Sequence, residues 1–210
     1  MVYWITQNRC MKNSKRIICI HGYGKRRGRQ FSLIEEAFSD RFEILCPDYY
    51  ELDKKDASYE LWLHNVQTFL DQYNDEPMIL IGFSLGALIA CHFESRYMVE
   101  KLILISPAFD YRRFEEVKRK EPDGIVPKQF IDEMKKTVDL CLKDLNKIQC
   151  PVVLIHARQD ELIPYEASES YFKQIASKNK KLFLLEGGSH TLLDDPDKKE
   201  ELIELLNKEV

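Results

Sequence analysis

Long hydrophobic runs are missing from this sequence of 210 residues. No uninterrupted apolar stretch approaches the ~20 residues that a membrane-spanning helix needs, which argues against stable insertion in a membrane. The N-terminal stretch MVYWITQNRCMKNSKR also lacks the apolar core of a secretory signal. The sequence therefore predicts a cytoplasmic protein.

Neither sign of charge dominates the chain, since Lys plus Arg number 31 and Asp plus Glu number 35, for a net charge of −4. Such a balance provides no general attraction for a polyanion, which argues against nucleic acid as a partner. The 6 cysteines form no CxxC pair and no Cys/His spacing typical of a metal site. We therefore expect buried, reduced thiols, and neither a metal nor a cofactor.

Internal repeats, low-complexity tracts and flexible linkers are absent as well. Instead, short apolar runs alternate with longer segments of helical periodicity. The runs are apolar on both faces, as expected for parallel strands that are covered by helices on each side. They predict an α/β fold with a mainly parallel sheet of about six to seven strands and helices on both faces. The predicted strands are 16–21, 42–46, 78–83, 101–106, 152–157 and 181–186, and the first dozen residues could add an antiparallel edge strand.

The predicted helices are 59–73, with Ser58 as its N-cap, 85–96, 165–176 and 198–206. One connection, 107–149, is longer than the others and contains an amphipathic helix. We expect this segment to be a small helical insertion over one end of the sheet, within a single domain of residues 1–210.

The clearest chemical signal is Gly82-Phe83-Ser84-Leu85-Gly86, a GxSxG sequence between an apolar strand and a predicted helix. In this setting a sharp turn exposes the serine hydroxyl above the edge of the sheet. A side chain at Gly82 or Gly86 would obstruct the turn. We therefore predict that Ser84 is a nucleophile, close to a helix N-terminus that favours negative charge.

A serine hydroxyl needs a base to become a good nucleophile. His190 follows the last predicted strand in a polar loop, and a loop at the carboxyl end of a strand can bring its imidazole beside Ser84. The other candidates fit less well, because His64 and His92 lie within helices and His156 lies in an apolar strand. His190 is the predicted base.

The base in turn needs a carboxylate that orients it. Asp160 lies just past the strand 152–157, and Asp110 and Glu161 remain alternatives.

The motif His21-Gly22-Tyr23-Gly24 directly follows the first predicted strand. Glycine-flanked backbone at this point can turn N–H groups toward a developing oxyanion. The expected donors are the amides of Tyr23 and Leu85, whereas His21 is expected to shape the loop.

Two basic segments, 25–29 and 112–120, are expected at the same end of the sheet. They could form a cationic entrance for substrates that bear a carboxylate or phosphate. The alternative is that they are solvated loop charges, offset by neighbouring glutamates.

Together the motifs resemble the α/β-hydrolase superfamily, in particular small serine hydrolases of the carboxylesterase, lipase and thioesterase type. The resemblance runs from Arg16 to the C-terminus and rests on HGYG, GFSLG, ARQDELIP and GGSH. The order Ser84, Asp160, His190 is that of the family's catalytic triad.

The resemblance implies that 107–149 is a cap that helps to shape an acyl pocket. It also implies cleavage of carboxylic esters of small to medium size through an acyl-enzyme on Ser84. A thioesterase or small peptidase of the same fold, and a non-catalytic ligand-binding protein, remain alternatives.

Overall fold

The computed structural model describes residues 15–23, 30–50, 58–111, 120–121, 124–125 and 128–210. The proposed edge strand in the first dozen residues, Gly24, the basic segment 25–29 and all of the basic segment 112–120 except Lys120 lie outside these ranges.

A central sheet of parallel strands organises the fold. The strands are β1 (Arg16–Ile20), β2 (Glu43–Leu45), β3 (Met78–Phe83), β4 (Val99–Ile105), β7 (Val152–Ala157) and β8 (Lys180–Leu185), while β5 (Lys120–Glu121) and β6 (Gly124–Ile125) form a separate antiparallel pair. The 6-stranded sheet has the order β2-β1-β3-β4-β7-β8, and every pairing is parallel. The predicted α/β fold with a parallel sheet is confirmed.

The helices are α1 (Ser32–Phe38), α2 (Tyr59–Leu70), α3 (Leu85–Glu94), α4 (Lys128–Cys141), α5 (Tyr165–Phe172) and α6 (Lys199–Glu209). Only α1 was not predicted. It has 7 residues and no side-chain cap at Phe31, so its periodicity is too short to stand out in the sequence. None of the helices within the described ranges combines the length and apolar character needed to cross a bilayer.

Strand side chains alternate between two cores. Ile17 and Cys19 face the core covered by α1 and α6, whereas Ile18 and Ile20 face the core covered by α2 to α5. Because neighbouring residues of a strand point to opposite faces, a strand covered on both sides is apolar throughout. This explains the continuous apolar runs of the sequence.

The helix of the insertion, α4, packs against α2 and α3. Phe130 lies with its ring centroid 4.8 Å from that of Trp62. After α4, the carboxylate of Asp144 contacts His92 of α3 at 2.6 Å, and both side chains are buried. The described part of 107–149 therefore shares the core of α2 and α3, and its role as a cap stays a prediction.

Candidate active site

Ser84 occupies the turn between β3 and α3. Its φ is +52° and its ψ is −118°, a conformation that non-glycine residues rarely adopt. The flanking glycines are needed because other backbone segments pass too close to them to leave room for a side chain. A Cβ at Gly82 would lie 2.7 Å from the Ala87 nitrogen, and a Cβ at Gly86 would overlap the carbonyl oxygen of Ile20.

The structure brings Ser84, His190 and Asp160 together at the carboxyl edge of the sheet. Nε2 of His190 lies 3.0 Å from Oγ of Ser84, and Nδ1 lies 2.8 Å from Oδ2 of Asp160. Ser84 follows β3, Asp160 follows β7 and His190 follows β8. All three side chains are buried. The hydrogen bonds run from a hydroxyl through an imidazole to a carboxylate.

The carboxylate of Asp160 is fully engaged. Oδ1 accepts the backbone N–H groups of Leu162 and Ile163, each at 2.8 Å. Oδ2 lies 2.8 Å from His190 and 3.0 Å from Nε2 of a second histidine, His156. Burial acts to raise the pKa of Asp160, but the hydrogen bonds from His156, from His190 and from the backbone N–H of Ile163 outweigh it. The pKa is therefore held well below its usual range, and Asp160 is ionised near neutral pH.

His156 is a buried histidine with partners on both ring nitrogens. Nε2 lies 3.1 Å from the carbonyl oxygen of Ile163 as well as close to Asp160. Because both neighbours accept hydrogen bonds, Nε2 carries a proton and donates it. Nδ1 lies 2.7 Å from Oγ of Ser168. The sequence analysis placed His156 in an apolar strand and missed its contact with Asp160.

The alternative acids lie elsewhere. Oε2 of Glu161 accepts the backbone N–H of His190 at 3.0 Å, so this carboxylate contacts the main chain of the loop. Asp110 lines a neighbouring groove with Asp139 and Glu166.

The alternative bases are also accounted for. His64 is exposed on α2. His92 pairs with Asp144, and burial lowers the pKa of His92 although Asp144 acts to raise it.

The predicted oxyanion donors flank the same pocket. Tyr23 and Leu85 line it together with Ser84. The loop passes so close to the nucleophile that a Cβ at Gly22 would come to 2.8 Å from Cβ of Ser84. Gly24 lies outside the described residues.

Buried side chains hold this loop in place. The hydroxyl of Tyr49 donates to the carbonyl oxygen of His21 at 2.8 Å, and that of Tyr50 donates to the oxygen of Gly22 at 3.0 Å. Nδ1 of His21 also lies 2.8 Å from the Gly22 oxygen, and the N–H of Gly22 donates to Oε1 of Gln30 at 3.1 Å. His21 thus contacts the main chain of the loop, and its role in shaping the loop stays a prediction. The tyrosines and Gln30 carry no sequence motif, so they were missed.

The pocket beside Ser84 is mostly apolar. Met134 of α4 forms part of its wall, so the insertion contributes directly to the site. The remaining lining residues, apart from those already placed there, are Gln30, Phe83, Ala108, Tyr111, Leu162, Ile163, His190 and Thr191. An apolar wall next to a nucleophilic hydroxyl can hold a neutral acyl group.

A parallel sheet that carries a serine on a strand–turn–helix elbow, with a histidine and an aspartate at the same edge, defines the α/β-hydrolase class. A model of the "Alpha/beta hydrolase family" matches residues 17–135, and a model described as "Serine aminopeptidase, S33" matches 123–197. The first match covers more than half of the chain, so the protein belongs to the α/β-hydrolase family. This membership supports the assignment of the protein as a hydrolase.

Distant relatives are found by sequence and by structure. The human palmitoyl-protein thioesterase ABHD10, named as mitochondrial, is 24% identical over 209 residues, which span 86% of this chain and 68% of the relative. A monoacylglycerol lipase of Paleococcus ferrophilus aligns with a TM-score of 0.76 at 18% identity, covering 93% of this chain and 95% of the lipase. Mouse alpha/beta hydrolase domain-containing protein 10 aligns with a TM-score of 0.74 at 22% identity, covering 96% and 91%. The two solved structures establish a shared fold. The cytoplasmic location stays a prediction.

Proposed function

We propose that this protein is a serine hydrolase that cleaves carboxylic esters of small to medium size through an acyl-enzyme on Ser84. One observation carries the proposal, the chain of hydrogen bonds from Ser84 Oγ through His190 to Asp160, at 3.0 Å and 2.8 Å. These contacts have the lengths and the order that general-base activation of a serine requires. A small-molecule substrate suffices, without metal or cofactor.

In the first step, Oγ of Ser84 attacks the carbonyl carbon of the ester while its proton moves to Nε2 of His190. The carbonyl π electrons move to oxygen, and the resulting oxyanion is bound by the N–H groups of Tyr23 and Leu85. Asp160 stabilises the imidazolium, because its low pKa keeps it anionic throughout.

In the second step, the oxyanion reforms the carbonyl, the bond to the leaving group breaks, and His190 gives its proton to the departing alcohol. Water then attacks the acyl carbon while His190 takes a proton from it, and a second oxyanion forms. When this oxyanion reforms the carbonyl, the bond from the acyl carbon to Ser84 Oγ breaks, His190 returns the proton to Oγ, and the carboxylic acid leaves. The apolar wall formed by Met134 and its neighbours favours an uncharged acyl group over a charged one.

Thioester hydrolysis is the second candidate, and the printed name of the human relative, a palmitoyl-protein thioesterase, favours it. The chemistry is the same except that a thiol leaves. Oxygen esters, thioesters and p-nitroanilides of the same acyl group, compared by kcat/KM, separate esterase, thioesterase and peptidase activity.

The decisive experiment is labelling with a fluorophosphonate, which reacts with an activated serine. Wild-type protein should be labelled at Ser84, and Ser84→Ala should lose both the label and about 10⁶-fold of the ester turnover. A folded wild-type protein that takes no label would refute the proposal.

The acid is assigned by two matched substitutions. Asp160→Asn should lower kcat by about 10⁴-fold, because it disturbs the tautomer of His190. Asp110→Asn removes a carboxylate of the neighbouring groove and should leave kcat near the wild-type value. The reverse pattern would make Asp110 the acid.

A further inference from the structure

The carbonyl oxygen of Gly22 is held by two buried side chains. The hydroxyl of Tyr50 donates to it at 3.0 Å, and Nδ1 of His21 donates to it at 2.8 Å. Tyr50 is 4% exposed and His21 is fully buried. Water therefore does not compete freely for this oxygen, and the two donors fix its direction.

Fixing that oxygen also fixes the adjacent N–H group. The peptide bond from Gly22 to Tyr23 is trans. In a planar trans peptide the C=O and the N–H point in opposite directions. The N–H of Tyr23 is thus turned to the side opposite Tyr50, and Tyr23 lines the pocket that contains Ser84.

The second expected oxyanion donor is held in an analogous way. The carbonyl oxygen of Ser84 accepts the N–H groups of Ala87 and Ala108, both at 3.1 Å. This orients the trans peptide that ends in the N–H of Leu85. Its two restraints come from backbone, whereas those on the Gly22 peptide come from side chains and can be removed one at a time.

We infer that Tyr50 is a positioning residue that aims the N–H of Tyr23 at the oxyanion, an inference that rests on the proposed function. An oxyanion is stabilised most by donors that already point at it before the reaction starts. The hydroxyl of Tyr50 also polarises the peptide, which strengthens its N–H as a donor. Tyr50 touches no reacting atom and acts through the Gly22 peptide.

The ring of Tyr50 is held independently of its hydroxyl. Its centroid lies 5.0 Å from that of Tyr49, 5.6 Å from that of Trp62 and 5.4 Å from that of Phe130. Tyr50→Phe therefore removes the donor to Gly22 and keeps the aromatic packing.

The neighbouring residue provides a matched control. The hydroxyl of Tyr49 donates to the oxygen of His21 at 2.8 Å, one peptide earlier. The N–H of that peptide belongs to Gly22 and is bound by Gln30 at 3.1 Å, so it is directed to a side chain of the protein. Tyr49→Phe removes an equally buried tyrosine hydroxyl from a peptide that gives no N–H to the oxyanion.

The test compares wild type, Tyr50→Phe and Tyr49→Phe in p-nitrophenyl ester hydrolysis, in inhibition by a trifluoromethyl ketone and in thermal unfolding. The ketone forms a tetrahedral oxyanion with the serine and so reports on the oxyanion donors. Loss of a whole oxyanion donor lowers kcat by about 10²–10³-fold. In Tyr50→Phe the N–H of Tyr23 remains and His21 still holds the carbonyl oxygen of Gly22, so we expect a smaller decrease in kcat, of about tenfold. KM should stay close to that of wild type, and the ketone should bind about tenfold more weakly. Tyr49→Phe should lose comparable thermal stability with a much smaller change in kcat.

Two results would overturn this inference: equal losses of kcat in the two variants, or a higher KM with unchanged kcat in Tyr50→Phe. In either case, the proposed function stands as long as the wild type shows ester turnover that depends on Ser84. A wild type with no Ser84-dependent turnover would overturn both.

Discussion

At the residue scale, two imidazoles share one carboxylate oxygen. Oδ2 of Asp160 lies within 3.0 Å of a ring nitrogen of His156 and of His190. In the proposed mechanism His190 must face Ser84 and Asp160 at the same time, and rotation of the carboxylate would carry the imidazole away from the serine. His156 opposes this rotation, because it is itself fixed by Ser168 and by the carbonyl of Ile163.

Replacing His156 by Leu is expected to lower kcat by about 10- to 100-fold, since small misplacements of a catalytic group have effects of this size. His156→Gln, which keeps an N–H donor, should recover part of the loss. Ser168→Ala leaves the bond between His156 and Asp160 in place and should change kcat far less. Ester hydrolysis, together with thermal unfolding of each variant, provides the measurement. Wild-type kcat in His156→Leu would show that His190 and the two amides suffice to hold Asp160.

The sequence predicts the position of residues that belong to a motif or follow the end of a strand. It does not predict the position of residues that the path of a loop brings to the site. Ser84, Asp160 and His190 each follow a predicted strand, and the carboxyl ends of parallel strands meet at one edge of the sheet. Tyr50 is 28 residues away from Gly22, and its contact depends on how the loop after β2 returns to β1. No periodicity of the sequence encodes such a return.

At the scale of elements, the N-terminus of α2 is capped by two side chains from different parts of the chain. Oγ of Ser58 accepts the N–H of Leu61 at 3.2 Å, as expected of the predicted N-cap. Oε2 of Glu133, which belongs to α4, accepts the N–H of Tyr59 at 3.0 Å. A carboxylate is also favourable at the positive end of a helix dipole. The insertion is thus joined to α2 by a polar contact as well as by apolar packing.

Glu133→Ala is expected to lower the free energy of unfolding by about 0.5–2 kcal/mol, the range measured for loss of a helix cap. Its ion pair with Lys136 is exposed on the lysine side and should add little. The control is Asp132→Ala, which removes a neighbouring carboxylate from the same helix. Urea unfolding measures both, and equal changes in the two variants would mean that the contact with Tyr59 contributes nothing.

At the scale of the whole molecule, buried thiols occur on both sides of the sheet. Cys19 lies in the core under α1 and α6, and Cys91 and Cys141 lie in the core on the other side. Burial raises the pKa of all three well above the ordinary value of 9.0. In the unfolded chain the same thiols ionise near that ordinary value, so alkaline pH stabilises the unfolded state alone.

The free energy of unfolding should therefore be unaffected by these thiols below roughly pH 9 and should fall as the pH rises further, by up to about 1.4 kcal/mol per pH unit for each thiol. Cys91→Ala removes one of these thiols, so the free energy of unfolding should fall less steeply with pH, by the contribution of that thiol. Urea unfolding in reducing buffer across the alkaline range is the measurement, and Ser95→Ala, at the exposed end of α3, is the control. A decline as steep as that of wild type would contradict the expectation.

Two adjacent residues of α4 make contacts with different parts of the molecule. Met134 reaches the pocket, whereas Glu133 reaches the start of α2. Successive residues of a helix are rotated by about 100°, so the two side chains leave the helix in different directions. Selection can therefore act on the two positions separately. If the pocket beside Ser84 binds the substrate as proposed, a point substitution at Met134 would change substrate preference between descendants, while the contact of Glu133 that anchors α4 is inherited unchanged. A mutagenesis library aimed at new substrates should vary Met134 and keep Glu133 fixed.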